Sequence, residues 1–265
     1  MKNIGLILFD IDGVIRSVEN SYRLALIKTV YKFSGWQPSY KDIDNAKNEG
    51  IWNNDWDLSL EFIKRCITKE NLDLEIPSRE LVVKCFEKFY FGGDPNQDSK
   101  NWSGFITNED LLVDKKFFDS LKKNGIIWGF VSGAESASAK FVLEKRLRLK
   151  SPPLIAMGDA PDKPNPEGLI NLSEKLLGRK LGKTIIPIAY VGDTIADIKT
   201  IINARKKIPS QKFLSIGVAP PHLHLDSRLE ERNLYELNLR NEGADLILNS
   251  VNDLKHINPN FFKTF

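Results

Sequence analysis

The sequence has 265 residues, with 38 Lys and Arg against 35 Asp and Glu, so its formal net charge is only +3. The basic residues are scattered, which argues against a nucleic-acid-binding protein. Hydrophobic residues make up 42% and charged residues 28% of the chain, as is typical of a globular protein with one large or two moderate domains. Cys66 and Cys85 form neither a CxxC motif nor a disulfide framework, which indicates a reducing compartment.

Met1-Lys2-Asn3 leads straight into the first apolar stretch, so we expect no signal peptide. No uninterrupted apolar run approaches the length that a bilayer requires. We therefore expect a soluble cytoplasmic protein without membrane contacts, and the sequence leaves its oligomeric state open.

The first predicted elements are a buried strand over residues 4–9 and an amphipathic helix from Ser21 to Phe33, closed by Gly35. From Trp36 to about Ser103 the pattern is helical, notably over Leu58–Ile67 and Arg79–Phe91. This pattern predicts a helical insertion between the helix that follows the first strand and the rest of the sheet. We expect a core domain of residues 1–18 and 104–265, and a helical domain of residues 19–103.

Strands and helices alternate after the insertion. The predicted helices cover residues 114–123, 137–149, 166–177 and 196–204, and the predicted strands cover residues 126–131, 153–157, 185–191, 213–218 and 244–248. Such alternation predicts an α/β protein with a Rossmann-like, doubly wound parallel sheet. Residues 220–240 are predicted to form an irregular, charged segment without regular secondary structure.

Two acids with one residue between them follow the first strand, in the stretch Asp10-Ile11-Asp12-Gly13. Because strand side chains alternate between faces, a regular strand would point both carboxylates the same way. Two like charges held that close require a cation or a shared proton. The pattern therefore favours a Mg²⁺ site or a protonated acid, and a plain acidic turn is the alternative.

Three later segments, each at the end of a predicted strand, carry polar residues suited to phosphate chemistry. They contain Ser132, Lys163 and the run Gly192-Asp193-Thr194-Ile195-Ala196-Asp197. In an open parallel sheet, ligands bind outside the carboxyl ends of the strands. A lysine and Mg²⁺ would offset the charge of a phosphate monoester, while a carboxylate nucleophile would divide hydrolysis into two steps.

The order Asp-x-Asp-Gly, strand-Ser, Lys-Pro-x-Pro and Gly-Asp-Thr-x-x-Asp resembles the haloacid dehalogenase superfamily. More narrowly, it resembles the branch with a helical cap inserted after the first motif. The resemblance implies that Asp10 is the nucleophile and Asp12 the general acid and base. It also implies that Ser132 binds the phosphoryl oxygens and that Lys163 pairs with the nucleophile and the phosphate.

The resemblance further implies a Mg²⁺ site formed by Asp10, the backbone carbonyl of Asp12 and Asp193. We include Asp197 among the metal-site residues, although it could instead pair with Lys163 or serve as a first-turn helix acid. The second acid of the first motif is typical of phosphatases and mutases and is absent from true dehalogenases.

Substrate contacts in the insertion are predicted around Trp52-Asn53-Asn54-Asp55-Trp56 and Lys47. Amides, charge and aromatics there could bind a polar phosphorylated metabolite, and we take Asn53, Asn54, Trp56 and Lys47 as candidates. The alternative is a capped turn, with Asn54 or Asp55 starting a helix and the tryptophans packed beneath.

Together these patterns predict a Mg²⁺-dependent phosphatase that acts on a small phosphorylated metabolite through an aspartyl-phosphate. Closure of the cap would exclude water until that intermediate forms. A phosphomutase, a phosphonate C–P hydrolase with Lys47 as its Schiff-base lysine, and a non-catalytic binding protein are the alternatives.

Overall fold

The computed structural model describes residues 3–49, 51–52, 54–257 and 261–263. The chain divides into two compact units. The sheet unit comprises Met1–Ser17 and Leu111–Phe265, and the helical unit comprises Val18–Asp110.

The described part of the sheet unit contains one parallel sheet of six strands. They are β1 (Gly5–Phe9), β2 (Ile126–Val131), β3 (Leu154–Ile155), β4 (Ile188–Gly192), β5 (Phe213–Val218) and β6 (Leu246–Leu248). Their spatial order is β3-β2-β1-β4-β5-β6, with every pairing parallel. The prediction of an α/β, doubly wound parallel sheet is confirmed.

Both faces of the central strand β1 are buried, which explains its unbroken apolar sequence. Ile7 and Phe9 pack into one hydrophobic cluster, whereas Leu6 and Leu8 pack into the cluster on the other face. Phe117 of helix α5 (Lys115–Lys123) joins the first cluster and Leu169 of helix α7 (Glu167–Leu177) joins the second, so helices cover both faces of the sheet.

The helices of the sheet unit are α5 (Lys115–Lys123), α6 (Ser136–Lys140), α7 (Glu167–Leu177), α8 (Ile195–Lys207) and α9 (Leu229–Asn241). The expectation of one helix over residues 137–149 is only partly right. α6 runs into a π-helical turn, Phe141–Arg146, and the helical segment ends there. The strand expected over residues 185–191 begins only at Ile188, because Pro187 precedes it and Ile185 is 93% exposed.

The expectation that residues 220–240 are irregular is wrong, because they contain α9. The helix is rich in Leu, Glu and Arg, which have high helix propensity. It carries Glu230 and Glu231 in its first turn and Arg240 in its last, where each charge suits the helix dipole. Leu229, Leu234 and Leu237 are exposed, so the helix lacks a clean apolar stripe.

In the described residues, the helical unit contains α1 (Tyr22–Ser34), α2 (Tyr40–Asn48), α3 (Asp55–Lys69) and α4 (Arg79–Phe91). Gly35 ends α1 in the left-handed conformation, at φ 72°, and its N–H donates to the Tyr31 carbonyl. Among the described residues, no helix is both long and apolar enough to cross a membrane.

Candidate active site

The strand order reverses at β1, the strand that lies between β2 and β4 at the centre of the sheet. Ligands of open α/β sheets bind outside the carboxyl ends of the strands at this point. Asp10 directly follows β1, Asp193 directly follows β4 and Ser132 directly follows β2. The topology therefore brings three residues that are distant in sequence to one edge of the sheet.

Three carboxylates form a cluster at this edge. Asp10, Asp193 and Asp197 each present an oxygen within 4.8 Å of the other two. Asp10 is only 4% exposed, and its Oδ1 lies 3.1 Å from Lys163 Nζ. Among the described residues, that oxygen accepts no hydrogen bond. Oxygen donors in this arrangement suit a hard cation, so the cluster could hold a metal ion.

Two glycines make room for the carboxylates. Gly13 has φ +74°, and a Cβ there would lie 2.0 Å from Asp193 Oδ2. A Cβ on Gly192 would lie 2.2 Å from Cβ of Asp197. Gly13 is thus required by the close approach of Asp193, and Gly192 by the close approach of Asp197 in the first turn of α8.

Asp197 joins the start of α8 to the lysine. Its Oδ2 accepts from the backbone N–H and the hydroxyl of Thr194, the N-cap residue of α8. Its Oδ1 accepts from Lys163 Nζ at 2.6 Å and lies 3.1 Å from the Tyr190 hydroxyl. Both oxygens are therefore engaged, and Asp197 is only 1% exposed.

Burial and mutual repulsion shift the ionisation of the cluster. Burial and the charges of Asp197 and Asp12 raise the pKa of Asp10 to about 6, although Lys163 and a Ser132 hydrogen bond lower it. Burial, followed by Asp197 and Asp10, raises the pKa of Asp193 well above its usual value. Burial opposes the charged form of Lys163, but Asp10 and Asp197 raise its pKa well above the usual value. Three carboxylates facing one ammonium therefore require either a proton on one of the acids or further positive charge.

Asp12 points to a different partner from Asp10. β1 ends at Phe9, so the argument from strand alternation does not extend to the two acids, and the expected common direction of their carboxylates stays a prediction. Asp12 Oδ1 instead accepts from Arg16 Nε at 2.7 Å. Arg16 is fully buried, whereas the Asp12 side chain is 29% exposed.

Ser132 is buried at the end of β2, where its backbone N–H donates to the Ile155 carbonyl. Its hydroxyl accepts from the Ala134 N–H at 3.2 Å, so the chain turns tightly around it. The side chain also forms a hydrogen bond with Asp10, and this bond lowers the pKa of that carboxyl.

Sequence reasoning missed two tyrosines. The Tyr190 hydroxyl lies 2.6 Å from the Val131 carbonyl and thus joins β4 to β2 beneath Asp197. The Tyr235 hydroxyl, on α9, donates to the Asp193 carbonyl at 2.7 Å. The alternation of side chains along β4 could have indicated the position of Tyr190. No local sequence signal links Tyr235 on α9 to the loop after β4.

The candidates in the helical unit have mostly local partners. Asn54 caps α3 by accepting from the N–H groups of Trp56 and Asp57, and Lys47 forms an ion pair with Asp55 at 2.5 Å. Arg79 lies over the Trp56 ring at 5.7 Å. These contacts agree with the capped-turn alternative. Asn53 lies outside the described residues.

The family model for haloacid dehalogenase-like hydrolases matches residues 4–205. This match covers most of the chain and includes each motif at the strand ends. The chain therefore belongs to the haloacid dehalogenase-like hydrolases.

One curated relative, an imidazoleglycerol-phosphate dehydratase from Phytophthora nicotianae, is 31% identical over 227 residues. The match covers 85% of this chain but only 45% of that protein, so the chain spans less than half of the relative's length.

Two solved structures are similar in fold. Phosphatase Tt82 from Thermococcus thioreducens is 20% identical, with a TM-score of 0.59 over 89% of this chain and 99% of that one. A phosphonoacetaldehyde hydrolase-like protein from Oleispira antarctica is 17% identical, with a TM-score of 0.60 over 94% of this chain and 89% of that one. At these identities the similarity shows the fold alone.

Proposed function

We propose that this chain is a Mg²⁺-dependent phosphatase that hydrolyses a small phosphate monoester through an aspartyl-phosphate on Asp10. The observation that carries the proposal is the position of Asp10. Its buried carboxylate lies 3.1 Å from the Lys163 ammonium and beside two further carboxylates, at the point where the strand order reverses. A nucleophile, a charge partner and oxygen donors for a cation thus occupy one place.

Asp10, Asp193 and the backbone carbonyl of Asp12 would hold Mg²⁺. When bound, Mg²⁺ would balance the excess carboxylate charge and stabilise the negative charge of the transferring phosphoryl group. We assign Asp197 to Lys163 rather than to the metal, because both of its oxygens already accept hydrogen bonds.

In the first step, a carboxylate oxygen of Asp10 attacks phosphorus, and the bond from phosphorus to the alcohol oxygen breaks. Lys163 holds Asp10 ionised and offsets the charge of the phosphoryl oxygens, which also accept from the Ser132 hydroxyl. Asp12 gives its proton to the departing alcohol oxygen.

In the second step, Asp12 takes a proton from water while the water oxygen attacks phosphorus. The bond between phosphorus and Asp10 breaks, which releases inorganic phosphate and restores the Asp10 carboxylate. One acid two residues after the nucleophile thereby serves both steps in opposite directions.

The proposal is tested by phosphate release from a panel of phosphorylated metabolites, with Mg²⁺ and with EDTA. We expect release that requires Mg²⁺ and disappears in Asp10→Asn. Asp119→Asn is the matched control, because Asp119 pairs with Lys115 on the exposed side of α5. Wild-type activity in Asp10→Asn would overturn the mechanism, and a protein inert on the whole panel would favour a non-catalytic binding role.

The panel should include imidazoleglycerol phosphate, which is a phosphate monoester and appears in the name of the curated relative. Because the relative is more than twice as long as the matched region, its dehydratase activity is not assigned to this chain. Selective hydrolysis of this ester over glycerol phosphate would define the substrate class, whereas equal rates would leave specificity to other contacts.

A phosphonate C–P hydrolase is the nearest alternative reaction, and one of the similar folds carries that name. It would use Lys47 as an uncharged amine. The ion pair between Lys47 and Asp55 opposes this role, because it favours the ammonium form. Borohydride trapping with a phosphonate substrate should leave Lys47 unmodified. A phosphomutase would be recognised by turnover of a sugar phosphate without phosphate release.

A further inference from the structure

We propose that Arg16 is a positioning residue that fixes the Asp12 carboxylate for proton transfer in both steps. This inference rests on the proposed function, because it assigns a partner to the acid and base of that reaction. The observation is the contact of 2.7 Å between Arg16 Nε and Asp12 Oδ1.

The backbone builds this contact into one tight loop. The Gly13 N–H donates to the Arg16 carbonyl at 2.9 Å, and the Arg16 N–H donates to the Ile11 carbonyl at 3.1 Å. Arg16 forms isolated bridges with Asp12 on one side and Leu111 on the other. The same turn that follows the nucleophile therefore fixes both Asp12 and Arg16.

The burial of Arg16 gives the contact its strength. The guanidinium side chain is fully buried, and a buried charge requires a charged or hydrogen-bonding partner. Asp12 is the anion that the loop presents to it. Because Arg16 is fully buried and contacts Asp12 directly, it limits the orientations of the Asp12 carboxylate.

The contact uses only one carboxylate oxygen. Oδ1 can accept from Arg16 Nε whether or not Asp12 carries a proton, because the proton would reside on Oδ2. In the first step Oδ2 gives that proton to the alcohol oxygen as the phosphorus–oxygen bond breaks. In the second step Oδ2 takes a proton from water as the water oxygen bonds to phosphorus. Arg16 remains protonated throughout.

The experiment compares two leaving groups in Arg16→Met and Arg16→Lys. An alkyl phosphate needs a proton on its departing oxygen, whereas 4-nitrophenolate leaves without one. The value of kcat/KM reports the steps up to departure of the alcohol. General acid catalysis contributes about 100-fold or more. We therefore expect Arg16→Met to lower kcat/KM about 100-fold for the alkyl phosphate and about 3-fold or less for 4-nitrophenyl phosphate.

Arg16→Lys retains the charge but moves the donor, so it should change the ratio of the two kcat/KM values in the same direction by a smaller factor. Lysine also keeps the test available if the methionine variant does not fold, as judged by circular dichroism. Arg179→Met, at an exposed arginine, is the control that should leave both values unchanged.

Asp12→Asn separates the two possible failures. If Asp12→Asn discriminates between the leaving groups but both Arg16 variants lose activity equally on the two substrates, or lose none, the role of Arg16 is overturned and the proposed function stands. If the wild type releases no phosphate from these two esters or from any member of the metabolite panel, the proposed function fails and the inference fails with it.

Discussion

The acid cluster of the sheet unit and the tryptophan segment of the helical unit differ in how their residues are held. Asp10 and Asp193 lie at the ends of adjacent strands, and their partners come from distant parts of the chain. Asn54 and Lys47 contact residues that are at most eight positions away. Parallel strands thus bring distant charges together, whereas the helical segment mainly satisfies its own polar groups.

This difference separates costly arrangements from ordinary ones. A helix cap stabilises the fold and needs no other purpose. A group of buried carboxylates around one lysine opposes folding unless a cation or ligand compensates it. Buried charged groups with strongly shifted pKa values are characteristic of functional sites. We therefore assign the proposed chemistry to the sheet unit.

Removing the lysine should have the largest effect. In Lys163→Met, Asp10 and Asp197 lose their shared cation, and we expect activity to fall at least about 1000-fold and stability by about 3 kcal/mol at neutral pH. Urea unfolding and phosphate release measure the two effects. The control is Lys199→Met, at a half-exposed pair with Glu242, where the expected loss is about 1 kcal/mol or less. Equal losses of stability in Lys163→Met and Lys199→Met would contradict the distinction between the buried acid cluster and an ordinary surface ion pair.

The second effect is a pH dependence of stability in EDTA. The pKa of Asp10 is raised from 3.8 to about 6, so the folded protein binds more protons than the unfolded chain between these values. The free energy of unfolding must therefore fall as the pH rises from about 4 to 6, by about 3 kcal/mol for this group. Asp10→Asn should lack this component, and parallel pH profiles of wild type and variant would exclude the shift.

In the helical unit the expected effect is smaller and of another kind. Asn54→Ala removes the cap of α3 and should lower stability by about 1 kcal/mol while KM stays unchanged. Thermal unfolding and steady-state kinetics distinguish the two readouts. An increase in KM of about tenfold with unchanged stability would instead place Asn54 at the substrate.

The smallest effect should come from the tyrosine that holds the Asp193 loop. Tyr235→Phe removes one hydrogen bond to the Asp193 carbonyl and should weaken Mg²⁺ binding, measured by calorimetry, about 3- to 10-fold. Tyr31→Phe, at an exposed tyrosine in the helical unit, is the control. Unchanged affinity in Tyr235→Phe would show that α9 does not position the metal loop.

The sheet and its acids were predictable because an unbroken apolar run specifies a buried parallel strand, and the ends of such strands meet at one edge. Asp10, Ser132 and Asp193 follow from that rule. Arg16 could not be placed from the sequence, because its contact with Asp12 depends on the conformation of the loop after β1. Tyr235 was missed because its contact depends on α9, a helix without a clear apolar periodicity.

The central claim is that Asp10 becomes phosphorylated. The most direct test mixes the protein with Mg²⁺ and a substrate that it hydrolyses, stops the reaction with acid, and analyses the peptides by mass spectrometry. We expect one phosphoryl group on the peptide that contains Asp10, with greater occupancy in Asp12→Asn, where the second step is slowed, and none in Asp10→Asn. Phosphate release without modification of that peptide in either the wild type or Asp12→Asn would contradict the account.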